Sequence, residues 1–424
     1  MSKNEGAWQA LFASLGILPA VDATGSFTIT SDQINEFRES RLMTKFDHHA
    51  NLPEIFKRNG LSILPITRGS YVIGRFDAYM AQSFQKDSKA EEFRFPANIE
   101  SLNPSDIFSE SAAINCAFVS GMIDEIAGER TVPTLAGRMG SSRFDFRIRS
   151  KTDAAQHRLQ VDNSQCEIDG GFEGPGSLVI IEAKNAISED FIIRQLYYPF
   201  RLWQAKVAKK IIPVFLSYSN DVFHFFIYEF SDRDDYNSIR LVGRRDFTFA
   251  PQTIVMEDIQ AILANVGIAA EPLDPFPQAD KFERVVDLLA LLGSGQADSQ
   301  SITENYDFDP RQTQYYMSAC RYLGMIDGAA GHFGLSKDAA RITKLGYKQK
   351  YLALARRILA HKVFHETCKL YLESGGRPAK EDIIRIMKAS QLRNMESDST
   401  YKRRAQTVIS WVEWILRLQA FRTP

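Results

Sequence analysis

Cysteine is scarce in this chain of 424 residues, which contains only four. Cys116, Cys166, Cys320 and Cys368 are scattered, and no two of them form a CxxC motif. This spacing argues against a disulfide framework and against a zinc site. Long hydrophobic runs are also missing, and the N-terminus does not resemble a signal peptide. These absences predict a cytoplasmic protein without a membrane segment.

Net charge is nearly absent as well, because 51 Lys and Arg are opposed by 52 Asp and Glu. The charged residues are nevertheless unevenly distributed along the chain. Residues 280–424 contain 23 Lys and Arg against 16 Asp and Glu, whereas residues 1–279 contain 28 against 36. A basic C-terminal third beside an acidic remainder suits nucleic-acid binding at one end and cation-binding carboxylates at the other. Many ordinary domains differ by this much, so the asymmetry is supporting evidence only.

What is present is an ordinary globular composition, with 44% hydrophobic and 24% charged residues. The length suggests roughly two or three domains. The clearest linker is residues 271–277, which hold three prolines. We predict an N-terminal α+β subdomain at 1–95, a central α/β domain at 96–270 and a mainly helical region at 278–424.

The most informative stretch is residues 165–203. Residues 166–169 alternate polar and apolar side chains, as a half-buried strand does, and glycine-containing turns follow. Residues 178–181 form a continuous apolar run, typical of a strand covered on both faces. That run ends in Glu182, Ala183 and Lys184, where residues two apart share one face. A hairpin between these strands would bring Asp169 to Glu182.

Two converging carboxylates beside an amine suit a magnesium site. Mg²⁺ prefers oxygen ligands and lowers the pKa of a bound water, which a lysine can orient or deprotonate. Asp169 and Glu182 are therefore the predicted metal ligands, and Lys184 is the predicted catalytic lysine. The alternative is a solvated strand face, because this spacing often arises by chance. The position at the rim of a sheet, where α/β sites lie, favours the catalytic interpretation.

This pattern, with Gln195 on the following helix, resembles that of the PD-(D/E)XK nucleases, and more narrowly the type II restriction endonucleases. The stretches EIDGGFE, VIIEAKN and IRQLYYPFRLW resemble those of a restriction-enzyme group that joins this core to a C-terminal winged-helix region. The N-terminal segment ESRLMTKFDHHANLPEIFKRNGLSILPITRGSY resembles the same group. The proline of the family name is absent, since Ile168 precedes Asp169.

The resemblance implies a PD-(D/E)XK restriction-endonuclease-like core, a mixed central sheet flanked by helices, within residues 96–270. It also implies that Gln195 orients the site. A helix before the sheet often contributes an acidic residue in such nucleases, and Glu110 is the candidate here. The alternative for Glu110 is a glutamate favoured by the helix dipole. The predicted order of helix, strand, hairpin, helix and strand agrees with the αβββαβ core that the resemblance implies.

Local patterns predict the surrounding elements. Residues 31–43 are predicted to form a helix capped by Ser31 or Asp32. The predicted elements that follow are a hairpin of 62–66 with 71–76, a helix from 109 to 126, a strand at 144–148, a helix at 188–204 and strands at 209–218 and 222–230.

Several basic side chains are predicted to contact DNA. Residues 134–142 read as a polar, glycine-bearing loop one strand from Asp169, and Arg138 and Arg143 there could reach phosphates or guanine. Arg194 lies on the helix beside the carboxylates. A solvated basic surface is the alternative.

The C-terminal region reads as a winged helix, with helices at 281–292, 301–306 and 309–323 and a β-wing at 325–335. Its recognition helix would direct Arg311, Gln312, Gln314 and Tyr315 to DNA. The region is predicted to hold one or two tandem copies, at about 278–345 and 346–424. The second would present Lys402, Arg403 and Arg404. Winged helices also serve as protein-interaction modules.

These observations predict a Mg²⁺-dependent, sequence-specific double-stranded DNA endonuclease of a restriction-modification system. A homodimer is expected if its site is palindromic, and a cognate DNA methyltransferase is expected in the same system. Two alternatives stay open: a repair or recombination nuclease of the same fold, and a non-catalytic winged-helix regulator. The chain lacks a GxxxxGK[ST] motor motif, which favours the self-sufficient restriction enzyme.

Overall fold

The computed structural model describes residues 3–82, 90–249, 253–293, 310–329, 332–390 and 397–420, with short pieces at 295, 297–298, 302, 392–393 and 395. The fold is mixed α/β, with a seven-stranded mixed sheet at its centre and a mainly helical C-terminal region. None of the helices described in these ranges is long and apolar enough to cross a membrane.

The N-terminal part is a small α+β unit. Its elements are α1 (Lys3–Leu15), α2 (Ile17–Thr24), β1 (Ser26–Thr30), α3 (Ser31–Asn35), α4 (Ser40–Thr44), α5 (Glu54–Arg58), β2 (Ser62–Pro65) and β3 (Ser70–Gly74). The strands form an antiparallel sheet in the order β1-β3-β2, which confirms the predicted hairpin. Trp8, Phe12 and Phe56 pack edge to face in the core of this unit.

The predicted helix at 31–43 is wrong, because two short helices occupy this stretch. Thr30, and neither Ser31 nor Asp32, caps the first of them: its hydroxyl accepts a hydrogen bond from Gln33 N, and its own N–H donates to Gln33 Oε1. The Asn35 side chain then accepts from Ser40 N at 2.7 Å. This contact satisfies a backbone donor at the start of the second helix and supports the interruption.

The central part carries the large sheet. Its elements are β4 (Tyr79–Ala81), β5 (Glu91–Glu92), α6 (Glu110–Val119), α7 (Met122–Ala127), β6 (Val132–Gly140), β7 (Phe144–Arg149), β8 (Gln156–Val161), β9 (Gln165–Glu173), β10 (Ser177–Lys184), β11 (Asp190–Ile192), α8 (Arg194–Gln204), β12 (Lys210–Ser219), β13 (Val222–Phe230), β14 (Ile239–Thr248) and α9 (Met256–Asn265). The sheet order is β5-β14-β13-β12-β10-β9-β6. Strands β10 and β12 are parallel and are joined through α8, whereas β9 and β10 form an antiparallel hairpin.

Both faces of β10 are buried, which explains its continuous apolar run. Leu178 and Ile180 pack with the residues of α8 on one face. Val179 and Ile181 pack with those of α6 and α7 on the other. The predicted strands around 209–218 and 222–230 are confirmed as β12 and β13.

Three predicted boundaries are wrong. The predicted loop at 134–142 is largely strand β6, which pairs with β9 through register shifts, with Gly137 at a φ of 92°. Glycine therefore marks an irregular edge strand there, not a loop. The predicted helix at 188–204 begins only at Arg194, because the residues before it pair with β4 as β11. The helix from 109 to 126 is divided at Gly121, whose φ is 87°.

The segment from 134 to 148 was predicted to lie one strand from Asp169. Its first part, β6, does pair with β9, whereas β7 pairs with β8 in a separate two-stranded sheet. The alternation in β7 is as predicted: Phe144, Phe146 and Ile148 are buried, and they pack over α8.

The C-terminal region is mainly helical. Its elements are α10 (Phe282–Gly293), β15 (Ala297–Asp298), α11 (Pro310–Tyr322), β16 (Ile326–Ala329), β17 (His332–Leu335), α12 (Lys337–Ile342), α13 (Tyr347–Leu359), α14 (Lys362–Ser374), α15 (Lys380–Ala389) and α16 (Asp398–Arg417). Strands β16 and β17 form the predicted hairpin and β15 adds a third strand. The predicted helix at 301–306 lies outside the described residues, apart from Ile302. Beyond Leu335, the described residues form helices and no strand, so a wing in a second copy stays a prediction.

Helix α10 attaches the C-terminal region to the central sheet through Asp287, which is 3% exposed. Its carboxylate accepts hydrogen bonds from Ser219 Oγ at 2.7 Å and from Ile187 N at 3.3 Å. An ion pair of 2.5 Å between Lys350 and Asp221 supports the same junction. The C-terminal region is thereby held against the β12–β13 turn and the loop that follows β10.

This junction predicts a pH-dependent stability. Burial raises the pKa of Asp287 to about 7, against the hydrogen bonds that favour its ionised form, whereas an unfolded aspartate titrates near about 4. As pH rises from 4 to 7, the unfolded chain releases a proton that the folded protein keeps, so stability falls. We expect that, as pH rises from 5 to 7, the titration of Asp287 lowers the free energy of unfolding by roughly 2–3 kcal/mol.

Urea unfolding at these two pH values measures the effect. Asp287→Asn should remove this part of the pH dependence. Asp327→Asn, at an exposed position of β16, should leave it in place. An equal pH dependence in the Asp287 variant and the wild type would contradict the assignment.

Candidate active site

The hairpin of β9 and β10 brings two carboxylates together. Ile181 pairs with Gly170, so the next positions along the two strands are Glu182 and Asp169. Ala183 N donates a hydrogen bond of 2.8 Å to Asp169 Oδ2. Asp169 and Glu182 therefore lie next to each other at the end of the hairpin, as the sequence predicted.

Glu182 is the centre of the cluster and is 6% exposed. Its Oε1 accepts a hydrogen bond of 2.6 Å from Lys184 Nζ and one of 2.5 Å from Gln195 Nε2. Lys184 Nζ also lies 3.8 Å from Glu110 Oε1, at the first turn of α6. The structure thus brings together all five residues that were predicted for catalysis.

Local sequence explains how the helices present these side chains. Ser109 caps α6, since its hydroxyl accepts from Ala112 N at 3.1 Å, and this places Glu110 in the first turn. Helix α8 begins at Arg194, directly after β11, so that Gln195 faces the end of β10.

Burial dominates the electrostatics of the carboxylates. It raises the pKa of Glu182 to about 8, although Lys184 acts in the opposite direction. Burial also raises the pKa of Asp169 and of Glu110. Burial disfavours the charged form of Lys184, yet the surrounding carboxylates, above all Glu182 and Glu110, hold the pKa of this lysine well above its usual range. A cluster of carboxylates with raised pKa values around one ammonium is typical of a functional site.

Asp47 is a fourth acidic residue near this cluster, and sequence reasoning missed it. It lies in an irregular segment after α4, and its backbone carbonyl accepts from Ile192 N at 2.8 Å. Its Oδ1 lies 3.6 Å from the Arg194 guanidinium. Burial would raise the pKa of Asp47, but Lys184 and Arg194 together with other cations lower it. No local pattern marks Asp47, because its approach to the site depends on a contact far along the chain.

Oxygen donors at this cluster are compatible with Mg²⁺. Among the described residues, no group of three or more His, Cys, Asp and Glu side chains is arranged to hold a metal. Mg²⁺ does not require such a cage, because it keeps several waters and binds through one or two carboxylates plus substrate phosphates. Asp169 and Glu182 supply two carboxylates. Gln195 Oε1 is a buried acceptor without a hydrogen-bond partner in the described part of the chain.

The basic side chains of the central domain that were predicted to contact DNA lie in different parts of that domain. Arg138 is on β6 and pairs with Glu167 on β9 at 3.3 Å. Arg194 is next to the site and pairs with Asp47. Arg143 lines a cavity of about 520 Å³ that contains five arginines and no predicted catalytic residue. A second cavity, of about 360 Å³, includes Glu110. We associate the smaller cavity with the carboxylates because it shares a residue with them.

Basic residues predicted in the C-terminal region partly converge. Arg311 lies over the ring of Tyr315 and donates a hydrogen bond of 2.6 Å to its hydroxyl. Burial and Arg403 lower the pKa of Arg404, and Tyr315 acts on this arginine in the opposite direction. The start of α16 therefore lies near α11. The remaining predicted side chains are exposed or half-exposed: Gln312, Gln314 and Lys402.

Residues 5–73, 74–248 and 284–420 are similar to three family models, described as domains of unknown function DUF6996, DUF6997 and DUF7226. No curated protein and no solved structure matched the chain. The second matched range contains all five predicted catalytic residues, and Asp47 falls in the first.

Proposed function

We propose that this protein is a Mg²⁺-dependent DNA endonuclease of the PD-(D/E)XK type, acting as a type II restriction enzyme. The observation that carries the proposal is the convergence of Asp169, Glu182 and Lys184 at the end of one β-hairpin, with Gln195 and Glu110 beside them. Their oxygen-only donor set suits a hard divalent cation.

The chain order around the cluster supports the same proposal. Helix α6 precedes β6, β9 and β10, and α8 then leads into β12, parallel to β10. This order is compatible with the αβββαβ arrangement expected from the family resemblance, with α7, β7, β8 and β11 as additional elements. The helices cover opposite faces of the sheet.

Each residue of the cluster would have its own role in the reaction. Asp169 and Glu182 would hold Mg²⁺, which lowers the pKa of a bound water and polarises the phosphate. Lys184 would orient the attacking water and stabilise negative charge that develops on the phosphorane-like transition state. Gln195 would fix the orientation of Glu182, and Glu110 would help to hold the Lys184 ammonium in place. The net reaction is hydrolysis of a phosphodiester bond.

The C-terminal region would bind double-stranded DNA. The β16–β17 hairpin beside α10 and α11 supports a winged-helix assignment, and the region has exposed cations at Arg311, Lys402 and Arg403. A homodimer would provide two active sites for a palindromic sequence. A cognate methyltransferase would protect the same sequence.

Incubation of the purified protein with unmethylated phage DNA, with and without Mg²⁺, tests the proposal. Discrete Mg²⁺-dependent fragments are expected, and sequencing their ends gives the recognition site. Progressive degradation would point to a repair or recombination nuclease. DNA binding that Mg²⁺ does not affect, without cleavage of unmethylated or methylated DNA, would support the regulator and contradict the nuclease.

Asp47 provides a further test of the site. Its position beside Arg194 predicts that it orients the start of α8 and adds negative potential at the metal. Asp47→Asn should slow single-turnover cleavage roughly 10–100-fold, the usual effect of losing a group that supports metal ligands. Asp22→Asn, which breaks the ion pair with Arg75 in the same subdomain, should cleave like the wild type. Equal single-turnover cleavage rates for the two variants would show that Asp47 is not part of the site.

A further inference from the structure

A cavity of about 360 Å³ lies between the central sheet and the C-terminal region. One wall includes Glu110 and Asn185, which are part of or next to the carboxylate cluster. Other lining residues belong to α10 and to the turn between α12 and α13, including Thr343 and Lys344. The cavity is therefore shared by Glu110 and the C-terminal region, and the other four predicted catalytic residues do not line it.

Contacts on both sides of this cavity fix its walls. Lys350 and Asp221 form an ion pair of 2.5 Å, and both residues line the cavity. Asp287 joins α10 to the β12–β13 turn, with Ser219 Oγ at 2.7 Å. The cavity is thus a pre-formed feature of the fold, since buried polar contacts of this kind hold the two regions in register.

The lining combines apolar, amide and charged groups. Its carboxylates are those of Asp106, Glu110, Asp221 and Asp287, of which Asp221 is paired with Lys350 and Glu110 lies near Lys184. Val286, Leu289 and Leu354 provide apolar surface, which suits a base, and Asn185 adds an amide. Lys344 is an exposed cation in the same lining as Glu110. The cavity volume lies near the lower end of the roughly 300–1,000 Å³ range of ligand sites, which suits a single nucleotide unit.

We infer that this cavity holds the nucleotide next to the cleaved phosphodiester, and that Lys344 contacts the phosphate on its far side. The inference rests on the proposed nuclease function and adds a substrate subsite to it. The C-terminal region would then bind the cut strand at the active site through α10 and Lys344, in addition to the surface of Arg311 and Tyr315.

Lys344→Gln tests the inference, with Lys337→Gln as the matched control. Lys337 is an exposed lysine at the start of α12 that does not line the cavity. Binding to a duplex with the mapped cut site is measured without Mg²⁺, by fluorescence anisotropy over a range of salt. Lys344→Gln should weaken binding roughly five- to tenfold and reduce the slope of log affinity against log salt by about one. The control should match the wild type.

Neutral methylphosphonate linkages, placed one at a time along the duplex, locate the contacted phosphate. One such linkage within two nucleotides of the cut should weaken binding by the wild type and by Lys337→Gln. The same linkage should have no further effect on Lys344→Gln, because the partner charge is already absent.

Two outcomes would overturn the inference while leaving the nuclease intact: equal salt dependence of the Lys344 and Lys337 variants, or a contacted phosphate far from the cut. A wild-type protein that neither binds nor cuts DNA overturns both proposals.

Discussion

Replacement of Lys184 by alanine should reduce DNA cleavage by a factor of roughly 10²–10³ or more, while DNA binding persists. The ammonium is held 2.6 Å from Glu182 and 3.8 Å from Glu110, at the end of β10. A pre-positioned cation in a water-poor site stabilises developing negative charge far better than one in bulk water, and loss of one such group has this magnitude. Single-turnover cleavage and anisotropy binding, measured on the same duplex, separate the two effects.

The chain offers a matched control for this variant. Lys209 forms an ion pair of 2.6 Å with Glu173, at the other end of the same sheet region. Lys209→Ala removes a half-exposed lysine–glutamate ion pair of the same sheet without touching the cluster, so it should cleave at the wild-type rate. If Lys184→Ala cleaves as fast as Lys209→Ala, the proposed site is wrong. Circular dichroism on both variants checks that the fold is retained.

Replacement of Glu182 by glutamine should abolish cleavage and also the thermal stabilisation of the free protein by Mg²⁺. Glu182 is one of two proposed ligands, and a ligand that binds only the folded state stabilises it by about 2.7 kcal/mol at a hundred times its dissociation constant. Burial raises the pKa of Glu182 to about 8, so metal binding near neutral pH must displace a proton. The Mg²⁺-dependent increase in Tm should therefore be larger at pH 8 than at pH 6 in the wild type.

Differential scanning fluorimetry with Mg²⁺ and with a chelator measures this increment, which does not require any DNA. Glu173→Gln, on the same strand as Asp169, is the control and should retain both the increment and its pH dependence. A Glu182→Gln protein that Mg²⁺ still stabilises as strongly as the wild type would show that the ion binds elsewhere.

Local sequence was sufficient for the central hairpin. Its apolar run at 178–181 encodes a strand that is buried on both faces, and the alternation at 166–169 encodes a strand that is buried on one face. Strands β10 and β9 have these burial patterns. Glu110 was a candidate through the family resemblance, and the structure places it in the first turn of α6, which Ser109 caps. The grouping of Asp169, Glu182 and Lys184 follows from strand periodicity alone, since the hairpin fixes which residues face one another.

Local sequence failed where backbone pairing over long distances decided the outcome. Residues 132–140 contain glycines that favour a loop, but hydrogen bonding to the edge of β9 makes them a strand. The first residues of the predicted helix at 188–204 are instead drawn into pairing with β4. In both places the local secondary-structure propensity of the residues is a weak signal. The free energy gained by satisfying backbone hydrogen-bond donors and acceptors in a strand pairing outweighs it.

The sequence by itself determined the carboxylate–lysine cluster, because a strand period of two and one tight hairpin are enough to assemble it. Only the tertiary structure decided that Asp47 joins this cluster and that Lys344 lines the same cavity as Glu110. Both residues lie outside the central sheet, in units with no local signal for the site. Their positions depend on how the N-terminal and C-terminal regions pack on the sheet, through contacts such as Ile192 with Asp47 and Ser219 with Asp287, which no local pattern of residues encodes.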